Sequence, residues 1–251
     1  MNNRFSIKNK VIIVTGSRRG IGKAFAEEFT KEGAIVYAIS KSFSRINNER
    51  ENNLHKIKCD LKNKKEFENI CKKIFETHKK IDVLINNAGI SLPQKNKEKY
   101  SLKDWNLTLE TNLTSVFNSS QAVINFMRKN NQGSIINITS INAQQAFPEN
   151  PAYVSSKGGL KMLSKAFARD WGKYGIRVNN LAPGYINTDM NRKTYSNKKT
   201  RKNRADKTML GRWGTTDDLL GAAIFLASDS SKYITAQDIY IDGGWSVKGI
   251  K

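Results

Sequence analysis

Residues 11–33 of the chain read VIIVTGSRRGIGKAFAEEFTKEG. The first four, VIIV, form a continuous β-branched run, which is typical of a strand that is covered on both faces. The last eleven follow a helical pattern that ends at Gly33. Between them, Gly16, Gly20 and Gly22 allow the backbone to approach a phosphate group, whose charge would lie at the positive end of the helix. The order strand, glycine turn, helix therefore predicts an α/β fold with a phosphate-binding turn at the carboxyl end of a strand.

The spacing of these glycines, Gly-x-x-x-Gly-x-Gly, differs from the G-x-G-x-x-G of the common dinucleotide-binding turn. Along the rest of the chain, short apolar runs predict further strands, and helical periodicity predicts long helices between them. The predicted strands are 34–40, 55–61, 81–85, 134–139 and 176–183, and the predicted helices are 63–78, 101–129 and 153–174. Because the composition does not change along the 251 residues, we expect a single domain over residues 1–251.

The charge of the chain is strongly positive. Lysine and arginine number 43 against 22 aspartates and glutamates, which gives a formal charge of +21. Such a balance makes nucleic-acid binding one interpretation. The lysines are scattered among many asparagines, however, and neither an aromatic-interleaved basic stripe nor a DNA-binding motif appears. We favour a solvated surface that is rich in lysine and asparagine, and we expect no nucleic-acid partner.

The two cysteines, Cys59 and Cys71, lack the spacing of a metal or redox site, and two thiols are too few for a disulfide scaffold. At the N-terminus, MNNRFSIKNK precedes only four apolar residues, a run too short for a signal peptide or a membrane span. The sequence therefore predicts a cytoplasmic location, with no bound metal and no membrane contact.

Three chemically distinct side chains follow in the second half of the chain. Ser140 comes directly after the apolar strand 134–139, and Tyr153 and Lys157 lie four residues apart at the head of a helical pattern, so that they share one face. A phenol titrates near ~10 in water, and a neighbouring ammonium lowers that pKa toward the range of a general acid or base. A serine hydroxyl can hold a carbonyl or alcohol oxygen beside the phenol. Together they predict proton transfer at a C–O group.

The end of the second predicted strand indicates which dinucleotide would bind. An enzyme specific for NAD places a carboxylate here, against the ribose 2′-hydroxyl. This chain has Ser40 and Lys41 instead, and Arg18 and Arg19 in the glycine turn add positive charge. The corner therefore suits a 2′-phosphate and predicts NADP rather than NAD, although lysine and arginine are abundant throughout the chain. Asp60, at the end of the third strand, is a predicted acceptor for the adenine amino group.

These features occur in a fixed order: TGSRRGIG at 15–22, Asp60, NNAG at 86–89, Asn112, Ser140, Tyr153 with Lys157, and Pro183-Gly184 followed by Thr188. In that order they resemble the classical short-chain dehydrogenase/reductase family over nearly the whole chain. The resemblance implies a single-domain, Rossmann-like, doubly wound α/β fold with a seven-stranded parallel sheet flanked by helices. It also implies a nicotinamide cofactor at the carboxyl edge and a homotetramer assembled through the helices 101–129 and 153–174.

The resemblance further implies a role for each matching residue. Tyr153 is the catalytic acid or base, and Lys157 lowers its pKa and holds the nicotinamide ribose. Ser140 orients the substrate oxygen, and Asn112 positions a water that relays protons to Lys157. The cofactor contacts predicted or implied are Gly16, Ser17, Arg18, Arg19, Gly20, Ile21, Gly22, Ser40, Lys41, Asp60, Leu61, Asn87, Ala88, Gly89, Tyr153, Lys157, Pro183, Gly184, and, at the nicotinamide carboxamide, Ile186 and Thr188.

Residues 188–212, which we name the predicted lid, contain the unusually basic run 193–207. That charge indicates an anionic substrate such as a sugar acid or an acyl-carrier thioester, or else one more solvated helix. The C-terminal run 211–245 resembles the branch with gluconate and deoxygluconate dehydrogenases, whose layout the 3-oxoacyl-carrier-protein reductases share. We expect an oxidoreductase that interconverts a secondary alcohol and a ketone on a sugar acid or polyol. The alternative is a 3-oxoacyl-carrier-protein reductase with an acyl carrier protein as partner, for which Arg128, Lys129 and Lys173 lie near the helix ends expected to meet the carrier.

Overall fold

The computed structural model describes residues 4–44, 50–51, 53–96 and 98–248. One sheet runs through the middle of the protein in the order β3-β4-β2-β1-β5-β6-β7-β8. Seven strands pair in parallel, and the two-residue β3 pairs antiparallel with β4 at one edge. The strands are β1 (Val11–Thr15), β2 (Ile35–Ile39), β3 (Arg50–Glu51), β4 (Leu54–Ile57), β5 (Val83–Asn86), β6 (Gly133–Ile138), β7 (Ile176–Pro183) and β8 (Asp238–Ile241). The prediction of a seven-stranded parallel sheet is confirmed, with β3 as an addition at its edge.

Helices cover both faces of this sheet. They are α1 (Gly20–Lys31), α2 (Lys64–His78), α3 (Leu102–Leu109), α4 (Ser115–Lys129), α5 (Pro151–Trp171), α6 (Arg192–Ser196), α7 (Lys198–Asp206) and α8 (Leu220–Ala227). One core lies beneath α1 and α8, where Phe25 and Phe29 are fully buried. The other lies beneath α2, α4 and α5 and includes Met127 and Phe167. Because β1 is covered on both faces, every one of its residues is buried, as its continuous apolar run predicts.

The helix predicted over 101–129 contains an irregularity that the sequence pattern does not show. A π-helical turn, Glu110–Thr114, separates α3 from α4, and Asn112 lies buried at its centre. Such turns occur mostly as single widened turns inside α-helices and are frequent at functional sites. The helix predicted over 153–174 begins two residues earlier, at Pro151, and ends in a short 3₁₀ turn, Gly172–Tyr174.

A chain of hydrogen-bonded polar side chains crosses the sheet beneath α5. The Asn86 amide donates to Asn137 (2.8 Å), the Asn137 amide to Ser164 (2.8 Å), the Ser164 hydroxyl to Asn180 (2.6 Å), and the Asn180 amide to Asp238 (2.8 Å). The three asparagines are at most 2% exposed. The prediction that the asparagines belong to a solvated surface is therefore wrong for this group. Because buried amides lose free energy unless they are paired, this chain stabilises the register of β5, β6, β7 and β8 together.

Within the described residues, no helix combines the length and the apolarity that crossing a membrane requires. The same part of the chain contains no cluster of three or more histidine, cysteine, aspartate or glutamate side chains arranged to hold a metal ion. Both cysteines are buried and unpaired.

Candidate functional site

A cleft of about 500 Å³ opens at the carboxyl ends of the parallel strands. The segments that follow β1, β2, β4, β5, β6 and β7 all contribute to its wall, as expected for the ligand edge of an open α/β sheet. Most of the predicted site residues meet in this wall: Gly16, Arg18, Arg19, Gly20, Ile21, Ser40, Lys41, Asp60, Leu61, Asn87, Ala88, Gly89, Ser140, Tyr153, Lys157, Pro183, Gly184, Ile186 and Thr188.

The glycine turn after β1 packs directly on the small-residue turn after β5. Gly16 has a φ of +66°, and a Cβ there would come within 2.7 Å of the Ala88 Cα. A Cβ at Gly22 would come within 2.3 Å of the Asn87 amide nitrogen. That amide donates to the carbonyl of Gly16 at 3.1 Å, so the two turns are held together by a specific bond. The result is a backbone cradle at the N-terminus of α1, which fits the pyrophosphate of a dinucleotide.

Three predicted residues stand behind the cleft wall rather than in it. Ser17 is 3% exposed, and its hydroxyl donates to the carbonyl of Ile39 at 3.2 Å, which ties the glycine turn to β2. Gly22 is needed for the packing just described. Asn112 is fully buried. These residues shape the cleft without lining it.

The end of the cleft near β2 and β4 is cationic. Arg18, Arg19 and Lys41 are exposed, and among the described residues none of them has an ion-pair partner. Ser40 is nearly buried, and its hydroxyl lies 3.1 Å from that of Ser42. Residues 40–44, the described residues that directly follow β2, contain no carboxylate to accept from a ribose 2′-hydroxyl, so the structure has the positive charge that the sequence predicted at this end of the cleft.

Ser140, Tyr153 and Lys157 come together at the middle of the cleft. Ser140 follows β6, and its hydroxyl accepts a hydrogen bond from the backbone N–H of Asn142 at 3.1 Å. The Ser140 hydroxyl lies close enough to the Tyr153 phenol to influence its pKa. The Lys157 ammonium donates to the carbonyl of Ile138 at 2.6 Å and lies 5.7 Å from the centre of the Tyr153 ring. Spacing along α5 therefore places the phenol and the amine one turn apart on the face that borders β6.

The pKa values of this pair differ from the prediction. Burial raises the pKa of Tyr153 above its ordinary value, and the neighbouring Ser140 hydroxyl opposes part of that rise. Burial also lowers the pKa of Lys157 to about 8. The expectation that Lys157 lowers the pKa of Tyr153 is wrong in this structure, because the ammonium is bonded to the Ile138 carbonyl instead of the phenol. A phenol that keeps its proton at neutral pH can donate it to a carbonyl oxygen.

Asn112 connects the turn after β5 to α5. Its amide oxygen accepts from the N–H of Ile90 at 2.8 Å, and its amide nitrogen donates to the Ile90 carbonyl at 2.9 Å and to Ser156 at 3.1 Å. The side-chain amide is thus fully used in positioning two walls of the cleft. That Asn112 positions a water for proton relay to Lys157 stays a prediction.

The predicted lid begins and ends at the cleft. Ile186 pairs with Gly214 in an isolated bridge, so the two ends of the segment are fastened side by side. A Cβ at Gly20 would lie 3.7 Å from the Cβ of Thr188, which places the start of the lid across the glycine turn. Between these points run α6 and α7.

Sequence patterns did not indicate several residues of the cleft wall. They include Ser91, Leu92, Thr111, Ser115 and Met190. Ser91 and Leu92 follow NNAG at the end of β5, so their position after a parallel strand was an available signal. Thr111 and Ser115 face the cleft because of the π-helical turn, which apolar periodicity does not detect.

Comparison with known proteins agrees with this geometry. The family model described as enoyl-(acyl carrier protein) reductase matches residues 16–246. The chain belongs to the short-chain dehydrogenase/reductase family. It is 34% identical to the 2-dehydro-3-deoxy-D-gluconate 5-dehydrogenase of Bacillus subtilis, over 98% of each chain. It is 36% identical to a 3-oxoacyl-[acyl-carrier-protein] reductase of Thermotoga maritima, over 95% of this chain and 98% of the relative.

Among solved structures, a gluconate 5-dehydrogenase from Burkholderia cenocepacia in complex with NADP and tartrate superposes with a TM-score of 0.90. It is 32% identical, and the match covers 97% of each chain. This short-chain dehydrogenase/reductase is therefore an oxidoreductase acting on CH–OH groups.

Proposed function

We propose that this protein is an NADP-dependent oxidoreductase that interconverts a secondary alcohol and a ketone on a sugar acid or polyol. The observation that carries the proposal is the convergence of Ser140, Tyr153 and Lys157 on the same cleft as the glycine turn. A phosphate cradle and a proton-transfer group in one continuous cavity serve a reaction in which a dinucleotide and a substrate meet.

The proposed cofactor contacts are the predicted ones that line the cleft. The pyrophosphate would lie against Gly16 and Gly20 at the N-terminus of α1, where the backbone N–H groups and helix dipole favour negative charge. Arg18 and Lys41 would face a 2′-phosphate, and their lack of partners among the described residues supports NADP over NAD. NADP, when bound, supplies the hydride chemistry.

The chain's own side chains would handle the proton and the substrate oxygen. The Ser140 hydroxyl, already held by Asn142, would position the substrate oxygen beside Tyr153. Tyr153, whose pKa is raised, would give its proton to a ketone oxygen and take one back from an alcohol at higher pH. Lys157 would serve as the adjoining cation once its ammonium leaves the Ile138 carbonyl for the phenol or a bound ribose.

A polyhydroxylated substrate is supported by polar groups next to the catalytic residues. Ser91 lines the cleft and accepts a hydrogen bond from the Asn150 amide at 2.8 Å. The amide oxygen of Asn150 is buried and has no hydrogen-bond partner among the described residues. A buried acceptor of this kind costs free energy unless a donor reaches it. Asn150 itself does not line the cleft, so Ser91 is the polar group that a substrate hydroxyl would meet. The relatives named for gluconate chemistry support the same substrate class.

The second candidate is a 3-oxoacyl-carrier-protein reductase. The identity of 36% to the Thermotoga maritima enzyme favours it. A cationic cluster at the ends of α4 and α5 also favours it, because Arg128 and Lys173 both stack on Tyr174, at 4.3 and 5.1 Å from its ring centre. Such a cluster would suit an acidic carrier protein.

We further propose a homotetramer formed through α4 and α5, in which the exposed Phe117 and Met162 would be covered. Sedimentation equilibrium would test this assembly: a tetramer mass is expected, and a monomer mass would contradict it. The buried free thiols of Cys59 and Cys71 fit a reducing compartment and support the cytoplasmic location predicted from the sequence.

A substrate screen separates the two activities. Purified protein is incubated with NADPH or NADH and with keto-sugar acids, keto forms of polyols, or acetoacetyl thioesters, and the absorbance of the reduced cofactor is followed. We expect turnover of a keto-sugar acid or a ketose with NADPH. Turnover of the thioesters alone would replace this proposal with the carrier-protein reductase. No turnover of any carbonyl would reject both.

A further inference from the structure

One cation of the predicted lid differs from the others. Every other lysine and arginine in residues 188–212, all of them described, is exposed, whereas Arg204 on α7 is half-buried. The positive charges of the lid therefore differ in their exposure to solvent. Most of them are solvated, and one guanidinium is directed into the protein.

Aromatic rings surround Arg204. Its guanidinium carbon lies 4.8 Å from the ring centre of Tyr185, 5.8 Å from that of Phe147 and 5.9 Å from that of Trp245. The rings also pack on each other, with centroids 5.1 Å apart for Tyr185 and Trp245 and 6.1 Å apart for Phe147 and Tyr185. We name these three rings the aromatic cage. A partly desolvated cation over several ring faces is held in a defined place.

The aromatic cage adjoins the walls of the catalytic cleft, although its three rings are not among the residues that line the 500 Å³ cavity. Phe147 lies in the connection between Ser140 and the helix that carries Tyr153. Tyr185 lies between Gly184 and Ile186, both of which line the cleft. The guanidinium of Arg204 is thus placed over the two segments that border the substrate side of the catalytic residues.

The hydrogen-bonding capacity of Arg204 is unused. Among the described residues, none accepts a hydrogen bond from its guanidinium, and none forms an ion pair with it. Arg212, at the other end of the lid, shows the contrast: it donates to the two Asp218 oxygens at 2.7 and 2.8 Å and to the Trp213 carbonyl at 3.0 Å. Stacking occupies the flat faces of a guanidinium and leaves its N–H edge, which matches a carboxylate in two parallel hydrogen bonds.

The helix that carries Arg204 is also fixed in place. The Lys248 ammonium donates to the carbonyls of Asp206 and, at 2.8 Å, Thr208, at the end of α7. The Trp213 indole donates to the Arg201 carbonyl at 2.9 Å. Because the helix and the cage hold the guanidinium before a ligand arrives, little ordering would be needed on binding.

We infer that Arg204 is the carboxylate anchor of the substrate site and selects sugar acids over neutral polyols. The inference rests on the proposed function, which it narrows to anionic substrates. The competing interpretation is that Arg204 only holds the lid in place by packing on the aromatic rings. A purely structural Arg204 would stabilise the lid equally for every substrate. Replacing it would then leave substrate selectivity unchanged, whereas replacing a carboxylate anchor would change selectivity.

D-Gluconate and D-sorbitol provide the matched pair of probes, because a carboxylate in one replaces a hydroxymethyl group in the other. The variants are Arg204→Gln, Arg204→Lys and, as the control, Arg201→Gln. Arg201 lies one turn earlier on the same helix, is exposed and stacks on Tyr195 at 5.2 Å, so its replacement removes an equal charge from the lid.

Two measurements are made on the full-length protein: the dissociation constant of gluconate by calorimetry with NADPH present, so that gluconate is not oxidised, and kcat/KM for oxidation of each probe with NADP. General damage to the lid would lower kcat/KM for both probes by the same factor, so it does not change the ratio of kcat/KM for gluconate to that for sorbitol. In Arg204→Gln we expect this ratio to fall about 10- to 100-fold, and gluconate binding to weaken by a similar factor, which corresponds to the loss of a charge-assisted hydrogen bond. Arg204→Lys should lose less, and Arg201→Gln should change either quantity less than about three-fold.

An unchanged ratio in Arg204→Gln, or equal changes in Arg204→Gln and Arg201→Gln, would overturn the anchor. So would wild-type protein that does not bind gluconate. Gluconate binding that depends on Arg204 without any turnover would retain the anchor and reject the proposed activity. Turnover of gluconate with an unchanged gluconate-to-sorbitol ratio in Arg204→Gln would retain the proposed activity and reject the anchor.

Discussion

Replacing Tyr153 by phenylalanine removes one oxygen from the middle of the cleft and little else. The hydroxyl lies beside that of Ser140, which keeps its bond from Asn142 after the substitution. One neutral hydrogen bond contributes about 1 kcal/mol to the free energy of unfolding, or a few degrees in the melting temperature of a domain of this size. Deleting a general acid should instead slow turnover by about 10²- to 10⁴-fold, because the chemical step loses its proton donor.

The assay compares three properties of wild-type and Tyr153→Phe protein: kcat with NADPH and the best carbonyl substrate of the screen, the dissociation constant of NADPH by fluorescence, and thermal unfolding. Tyr240→Phe is the control, since its hydroxyl accepts one hydrogen bond from Lys161 at 3.3 Å on the edge strand β8, outside the residues that line the cleft. We expect a loss of at least ~10²-fold in kcat for Tyr153→Phe alone, with cofactor binding within about three-fold of wild type. Near-normal turnover in Tyr153→Phe would refute the assignment of the proton donor. A parallel loss of cofactor binding would show that the hydroxyl acts by holding the cleft together.

Three further substitutions test other parts of the site. Lys41→Asp should lower the ratio of kcat/KM for NADPH to that for NADH by at least about ten-fold, because a carboxylate would repel a 2′-phosphate; an unchanged ratio would assign the discrimination to the arginines of the glycine turn. Gly16→Ala should cost about 2–5 kcal/mol of unfolding free energy and weaken cofactor binding, since the φ of +66° and the 2.7 Å approach to Ala88 leave no room for a Cβ; unchanged denaturant unfolding would contradict this. For Lys157→Met, the pKa of about 8 in the folded protein lies below the unfolded value, so the buried charge costs wild type free energy below pH 8 and nothing above about pH 10.5. The stability of the variant relative to wild type should therefore decline by up to about 3 kcal/mol between pH 8 and pH 10, and a pH-independent difference would reject the buried cation.

Local patterns predicted six of the seven parallel strands and much of the cleft wall, whereas the seventh strand was expected only from the family resemblance. The run IRVNNLAP predicted a strand over 176–183, and β7 has those bounds. The glycine turn, Asn87 and Tyr153 lie in one cavity because parallel strands bring their carboxyl ends to one edge, a rule that needs only the strand assignments. The unusual composition did not obscure this pattern, since apolar periodicity within each element was kept.

Features that depend on distant parts of the chain were not predictable in this way. The partners of Asn137 and Asn180 are set by strand register and by a serine on α5, so abundance alone assigned these asparagines to the surface. The π-helical turn at Asn112 adds a single residue to a helix whose apolar spacing hardly changes. The cage around Arg204 joins rings from three segments, the last of which, Trp245, lies about forty residues further along the chain.

The contrast between Tyr153 and Lys157 shows what a four-residue spacing does and does not specify. Helical geometry makes the two side chains neighbours, and in water that proximity would favour phenolate and ammonium together. In the folded protein both groups lose hydration, which disfavours the charged form of each. Burial therefore raises the pKa of Tyr153 and lowers that of Lys157. The Ile138 carbonyl replaces part of the lost hydration of the ammonium, whereas the neighbour that acts on the Tyr153 phenol is the neutral hydroxyl of Ser140. The free protein is therefore poised as a proton donor, and a nearby positive charge or higher pH would be required for the phenolate that alcohol oxidation needs.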